Sequence, residues 1–300
     1  MNFTSGLVGL AIIFIAAGSG EKPILEEIAK GLSFPEGPAW DGTGRLYVSN
    51  CYSDWIARVS QNGTDTFVVK PTKPYNFGKT NGLTFFRDGY LYACDYEKGA
   101  IIRFSPLGEC EVVIDGYQGK KFNRPNDLAF DAKGNLYFTD PHAYDPGNRD
   151  GMVYMYSIKN QQVRRIYTGL GFPNGIAFSA DGKSLFICES ALNRVLKFPV
   201  DDEGNLGAYS VFAEMPGGDP DGLAIDQAGF VYVAHFGGGM VYKFNEEGIV
   251  ADTIGVPGKK PTNVEFGGKD FRTLFITEVE TNAVYQIRVN TPGLQLFEHP

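Results

Sequence analysis

Six short polar triplets recur along this chain of 300 residues, and their spacing constrains the fold more than any other feature. They are Pro35-Glu36-Gly37, Thr80-Asn81-Gly82, Pro125-Asn126-Asp127, Pro173-Asn174-Gly175, Pro220-Asp221-Gly222 and Thr262-Asn263-Val264. Each opens a run of alternating apolar residues, and its middle residue is always Glu, Asp or Asn. Successive middle residues stand 42 to 48 positions apart, the period at which a self-similar all-β sequence closes into a propeller.

Within one period the pattern resolves into strands. The second repeat runs Gly82-Leu83-Thr84-Phe85, turns at Arg87-Asp88-Gly89 and returns as Leu91-Tyr92-Ala93-Cys94-Asp95. A third strand follows at Ile101-Ile102-Arg103-Phe104 and a fourth at Val112-Val113-Ile114. Period-two alternation bounded by Gly and Asp turns is hairpin chemistry. Four antiparallel strands repeated six times predict an all-β, six-bladed β-propeller. The last repeat is short of an outer strand, so Ile24 to Ile28 is expected to supply it beside Ala283 to Val289. Composition agrees: 23 Phe, 16 Tyr, 38 Gly and 17 Pro suit short strands joined by turns. No linker or low-complexity run follows residue 22, so residues 23–300 are read as one propeller domain.

The N-terminal segment, residues 1–22, reads as signal-like or disordered. Its apolar run Gly6 to Ala17 has the length of a signal-peptide core and is too short for a membrane span. Met1 to Ser5 carries no Lys or Arg, which leaves both export and a cytoplasmic location open. A formal charge of −8 with no basic stripe argues against nucleic acid and suits a cation. Cys51, Cys94, Cys110 and Cys188 form no CxxC and adjoin no His, so buried free thiols are expected rather than a zinc site or a nucleophile.

If the six triplets begin equivalent inner strands, their middle side chains converge on one axis. Glu36 and Asp221 then bring two negative charges, and Asn81, Asn126, Asn174 and Asn263 bring amide oxygens. An all-oxygen set suits a hard divalent cation. The competing explanation is that Pro-Asn-Gly and Pro-Asp-Gly are turn tripeptides bonding their own backbone; Glu36, a poor turn former, weighs against it. A second polar ring is expected at the same face, because an antiparallel second strand ends beside the start of the first. Its members are Asn50, Asp95, Asp140, Glu189, His235 and Glu278. His235, followed by three glycines, reads either as a proton relay or as a hydrogen-bonded wall residue. The longest loop at this face is Pro141 to Gly151, a candidate rim or lid.

The phrases FPEGPAW, NRPNDLAFD, FPNGIAFS and DPDGLAID, with VAHFGGGMVYKF behind the last, resemble the gluconolactonase, regucalcin and luciferin-regenerating-enzyme-like family over about residues 30 to 290. The resemblance implies a six-bladed propeller with one divalent metal in its channel that hydrolyses sugar lactones or related esters. Ca²⁺ is the first choice for that metal, with Zn²⁺, Mn²⁺ or Mg²⁺ as alternatives. Carried onto this chain, the metal ligands are Glu36, Asn174 and Asp221, with Asn126 a ligand or near neighbour, and Asn81 and Asn263 are supporting oxygens behind them. Arg124 matches the family's substrate-binding arginine, and Asp221 resembles its general base. The family's acidic substrate contact falls where this chain has Asp140 to Tyr144, so Asp140, His142 and Tyr144 are candidate substrate contacts without a clear counterpart. Three other readings stand beside the lactonase: a metal- or calcium-binding protein without turnover, a phosphotriesterase using the same site, and a lyase or synthase on the same scaffold.

Overall fold

A computed structural model describes residues 23–295 of the chain, so the N-terminal signal-like segment and His299 lie outside the described residues. The fold is a six-bladed β-propeller. Six four-stranded antiparallel sheets surround a central axis, and a 3-10 turn at Ser190–Leu192 is the one helical element among the described residues. Blade 1 is built from Pro35–Trp40, Leu46–Asn50, Trp55–Ser60 and Gly63–Val69, innermost strand first. Blades 2 to 5 begin at Thr80–Phe85, Leu128–Phe130, Pro173–Phe178 and Asp219–Ile225. Blade 6 takes Pro261–Gly267, Thr273–Glu278 and Ala283–Arg288 from the end of the chain and its outer strand, Glu26–Lys30, from the beginning. That strand pairs Glu26 with Gln286 and Lys30 with Ala283, so the ring closes as the missing strand required, two residues later than the sequence suggested.

The core is divided into one apolar cluster per blade interface. Between blades 1 and 2 lie Tyr47, Ile56, Leu83, Ala93 and Phe104; between blades 6 and 1 lie Val48, Ala57, Phe275 and Val284. Neighbouring residues of one strand, Tyr47 and Val48, therefore feed different clusters. Side chains alternate across a sheet, and here both faces are covered. That is why Leu46–Asn50 and Leu91–Asp95 are buried at every position.

The triplets form the innermost turn of the ring, and two features set their geometry. Five inner strands carry a register break at the triplet, as between Glu36 and Ala39 and between Pro220 and Leu223. An extra residue bends the strand there and re-aims its side chains. Blade triplets also pack directly on one another. A Cβ on Gly37 (φ 48°) would collide with the Asn81 carbonyl, and one on Gly222 with the Asn263 side chain. Hydrogen bonds continue the ring: Ser49 Oγ donates to Asn81 O (2.6 Å), Gly82 N to Asn126 O (2.8 Å), Thr139 Oγ1 to Asn174 O (2.8 Å), Ser190 Oγ to Pro220 O (2.7 Å) and Thr262 Oγ1 to Pro35 O (2.8 Å). All four cysteines are buried free thiols, and Cys51 Sγ donates to Thr80 O.

Candidate functional site

The channel opens at one face into a cavity of about 260 Å³. Glu36, Asn126, Asn174 and Asp221 all line it, each less than a tenth exposed. Residues 185 positions apart in the chain thus meet at one place. Glu36, Asn174 and Asp221 arrive on bulged inner strands, whereas Asn126 stands just before the inner strand of blade 3, its N–H bonded to Thr139 O (2.9 Å). Asn174 is held by its own amide: Nδ2 donates to Ser190 Oγ (3.2 Å), which donates onward to Pro220 O. Glu36 Oε2 accepts Gly37 N (2.9 Å).

Burial and like charge act strongly on the two acids of this group. Burial pushes the Glu36 carboxyl up to about 8, against a partial offset from the Gly37 N–H, and the Asp127 charge adds to the rise. Burial also raises Asp221 well above the carboxylate range, reinforced by the charges of Glu36 and Asp127. Desolvation and like charge both disfavour ionisation. Two carboxyls brought into one cavity with two Asn side chains form a donor set that a hard cation would ionise and satisfy. Among the described residues no three His, Cys, Asp or Glu side chains cluster as metal ligands; the channel set has two carboxyls, and its remaining oxygens are amides.

Asn81 also lines this cavity, whereas Asn263 does not. Asn263 sits beneath Glu36 and hydrogen-bonds it, with its Oδ1 taking Val264 N (2.8 Å). Arg124 reaches the cavity with its guanidinium 5.8 Å from the Tyr96 ring centroid. Tyr144 reaches it from the Pro141 to Gly151 loop. His142 on that loop does not; it is exposed and its Nδ1 lies 2.7 Å from Asp150 Oδ2. Asp140 is buried and its oxygens accept Asn123 N (3.1 Å) and Arg124 N (2.8 Å), so it holds the Arg124 backbone and does not line the cavity. His235 is likewise buried away from it, with Nε2 3.3 Å from Met215 O.

Several lining residues were not anticipated. Phe34, Phe172 and Asp219 stand two places before the middle residue of their triplets, the position that Arg124 holds in blade 3. The motifs FPEG, FPNG and DPDG displayed them, and the equivalence with Arg124 was the available signal. Tyr52 and Tyr96, just past the second strands of blades 1 and 2, and Phe236, the last residue of that of blade 5, join them. Asp127 was also missed. It replaces the glycine found in four other triplets, and burial lifts its carboxyl to about 6. With Glu265 and Asn263 it lines a second cavity, of about 160 Å³, at the other end of the channel, where Leu294 and Gln295 lie.

The six blades thus bring oxygen-bearing side chains together under an aromatic-walled mouth. Residues 34–280 match the family described as the SMP-30/Gluconolactonase/LRE-like region. The gluconolactonase of Zymomonas mobilis is 30% identical over 302 aligned positions, covering 90% of this chain and 82% of that protein. The diisopropyl-fluorophosphatase of Loligo vulgaris is 25% identical, covering 92% and 95%. Among solved structures, a gluconolactonase of Xanthomonas campestris superposes with a TM-score of 0.78 at 26% identity, covering 90% of each chain. The chain belongs to the SMP-30/gluconolactonase/LRE-like family, a family of lactonase-type hydrolases, as its motifs implied.

Proposed function

We propose that this protein is a metal-dependent lactonase that opens a cyclic ester at the mouth of its channel. The observation that carries the reading is the meeting of Glu36 and Asp221 with Asn126 and Asn174 in one cavity, where their charges oppose one another. Those four residues would hold one divalent cation, Ca²⁺ before Zn²⁺, Mn²⁺ or Mg²⁺, and it would supply Lewis-acid polarisation of the ester carbonyl. Arg124 orients substrate oxygens through its donor fork. Asp221 accepts a proton from the attacking water, whose oxygen bonds to the acyl carbon. The acyl carbon–ring oxygen bond then breaks, the ring oxygen takes up the proton, and a hydroxy acid leaves. Asp140 and His142 take no direct part, and His235 serves as a wall residue.

The test is a pH-indicator assay on metal-stripped protein across a lactone panel, with each cation added back. Hydrolysis restored by one cation is the expected result. Turnover that survives chelation would sink the proposal, and a cation-dependent rise in Tm without turnover would assign the site to binding alone. A phosphotriester substrate is the second reading, favoured by the similarity to the squid diisopropyl-fluorophosphatase.

A further inference from the structure

We propose that the mouth selects lactones whose body beyond the reacting ester is apolar, an aryl or alkyl group, over polyhydroxylated sugar lactones. The inference rests on the lactonase reading and concerns what surrounds the ester once it is bound.

Six aromatic side chains wall the cavity: Phe34, Tyr52, Tyr96, Tyr144, Phe172 and Phe236. They are arranged across the ring. Phe34 stacks on Tyr52 in blade 1, with centroids 4.2 Å apart at 29°. Tyr144 meets Phe172 edge to face at 5.2 Å where blades 3 and 4 join, on the opposite side of the axis. Tyr96 follows the second strand of blade 2, and Phe236 ends that of blade 5, the blade facing it. An apolar group above the cation ligands therefore meets rings from several sides.

Several polar groups of the same wall are already engaged. Tyr96 Oη donates to Cys51 O (2.6 Å), so its one proton is already placed. Tyr144 hydrogen-bonds Asp219, and the Asn193 amide, in the orientation its neighbours require, donates to Asp219 Oδ1 (3.1 Å). Ser190 bridges Asn174 and Pro220 O. Beyond the four proposed cation ligands, Arg124, Asn81 and the exposed edge of Tyr52 remain to meet a substrate. A sugar lactone bears a hydroxyl on nearly every carbon, and each one buried without a partner weakens binding. One stacking ring with free donors at its rim suits a sugar; opposed rings with two of their three hydroxyls tied back do not.

The backbone adds an independent observation. Phe34 and Phe172 occupy equivalent places in opposing blades and both lie in the left-handed region, at φ 53° and 55°. Bulky side chains rarely enter it, and such residues cluster at binding sites. A glycine would fit this backbone without strain, yet both positions carry rings that line the cavity.

The test compares two δ-lactones with the same reacting ring, glucono-1,5-lactone and a 5-phenyl-substituted δ-valerolactone, in the cation-loaded full-length protein. The expected result is a kcat/KM at least about tenfold higher for the phenyl lactone. Phe172→Gly suits the backbone at that position and should lower the ratio of the two values about tenfold. Tyr144→Phe keeps the ring but releases Asp219 as an acceptor, so it should move the ratio toward the sugar lactone by raising that substrate's kcat/KM, a gain that misfolding cannot produce. Preference for gluconolactone, or a ratio that neither variant moves, overturns this inference alone. If neither lactone is hydrolysed at any cation, the lactonase reading itself falls and takes this inference with it.

Discussion

Two rings of polar residues surround the channel mouth, built from the same side-chain types and repeated with the same symmetry, yet they do opposite work. The outer ring ends the second strand of every blade, and five of its six members accept backbone N–H groups from the loop entering the same blade. Asn50 takes Ser33 N (2.7 Å), Asp95 takes Gly78 N (2.7 Å), Asp140 takes Arg124 N (2.8 Å), Glu189 takes Gly171 N (2.7 Å) and Glu278 takes Lys260 N (2.9 Å). His235 contacts the Met215 carbonyl instead. These groups replace water for loops that would otherwise bury unpaired amides. The inner ring has far fewer backbone partners: Glu36 takes the one N–H of Gly37, with side-chain bonds from Asn263 to Glu36 and from Asn174 to Asp221, and the two carboxyls there repel each other. On the proposed reading, the polar residues open to a ligand are those whose oxygens the backbone does not take, not merely those that recur.

The sharpest way to break this contrast is Asp221→Asn. It removes a charge from the inner ring and should lower kcat/KM about a thousandfold, the equivalent of about 4 kcal/mol of lost transition-state stabilisation. Steady-state kinetics with saturating cation would read it, and near-normal turnover would undo the distinction. The outer ring should fail the other way. Glu278 is fully buried and accepts Lys260 N, Thr281 N and Thr281 Oγ1. Glu278→Ala is expected to cost about 3 kcal/mol in urea unfolding by stranding these donors, while kcat/KM of the folded protein stays close to its original value.

A third contrast is a pH dependence of the cation-free protein. Glu36 is raised to about 8 in the folded chain, from an unfolded value of about 4.3. The folded state therefore binds the extra proton, and the stability linked to it is complete below about pH 4 and lost as pH rises through about 8. Thermal scans without cation should show Tm falling across that window, and cation added at the alkaline end should restore it. A Tm that is flat or rises with pH would mean that Glu36 is not held neutral.

Much of this architecture was readable beforehand because repeats repeat their physics. Each blade needs an inner strand, a hairpin and apolar residues on both faces, so strand number, ring closure through the N-terminal strand and the inner polar set followed from period and pattern. Local patterning stopped short at the site. Asp140 and Glu36 look alike in a sequence: each is an acid at a strand terminus facing the same mouth. What separates them is where the nearest backbone N–H groups lie, and that depends on how the connecting loops fold back. Phe34 and Phe172 looked like residues preceding a Pro, and their convergence across the axis became visible only with blades 1 and 4 opposed.

The chain alone determined the propeller, the family and the candidate cation ligands, because these rest on periodicity and on donor chemistry carried by residue type. Only the tertiary structure decided which polar ring spends its oxygens on backbone N–H groups, that Asp127 joins the charges below the site, and that aromatic rings from several blades wall the mouth. Each of those depends on contacts between residues from different blades, and such contacts exist only once the ring has closed.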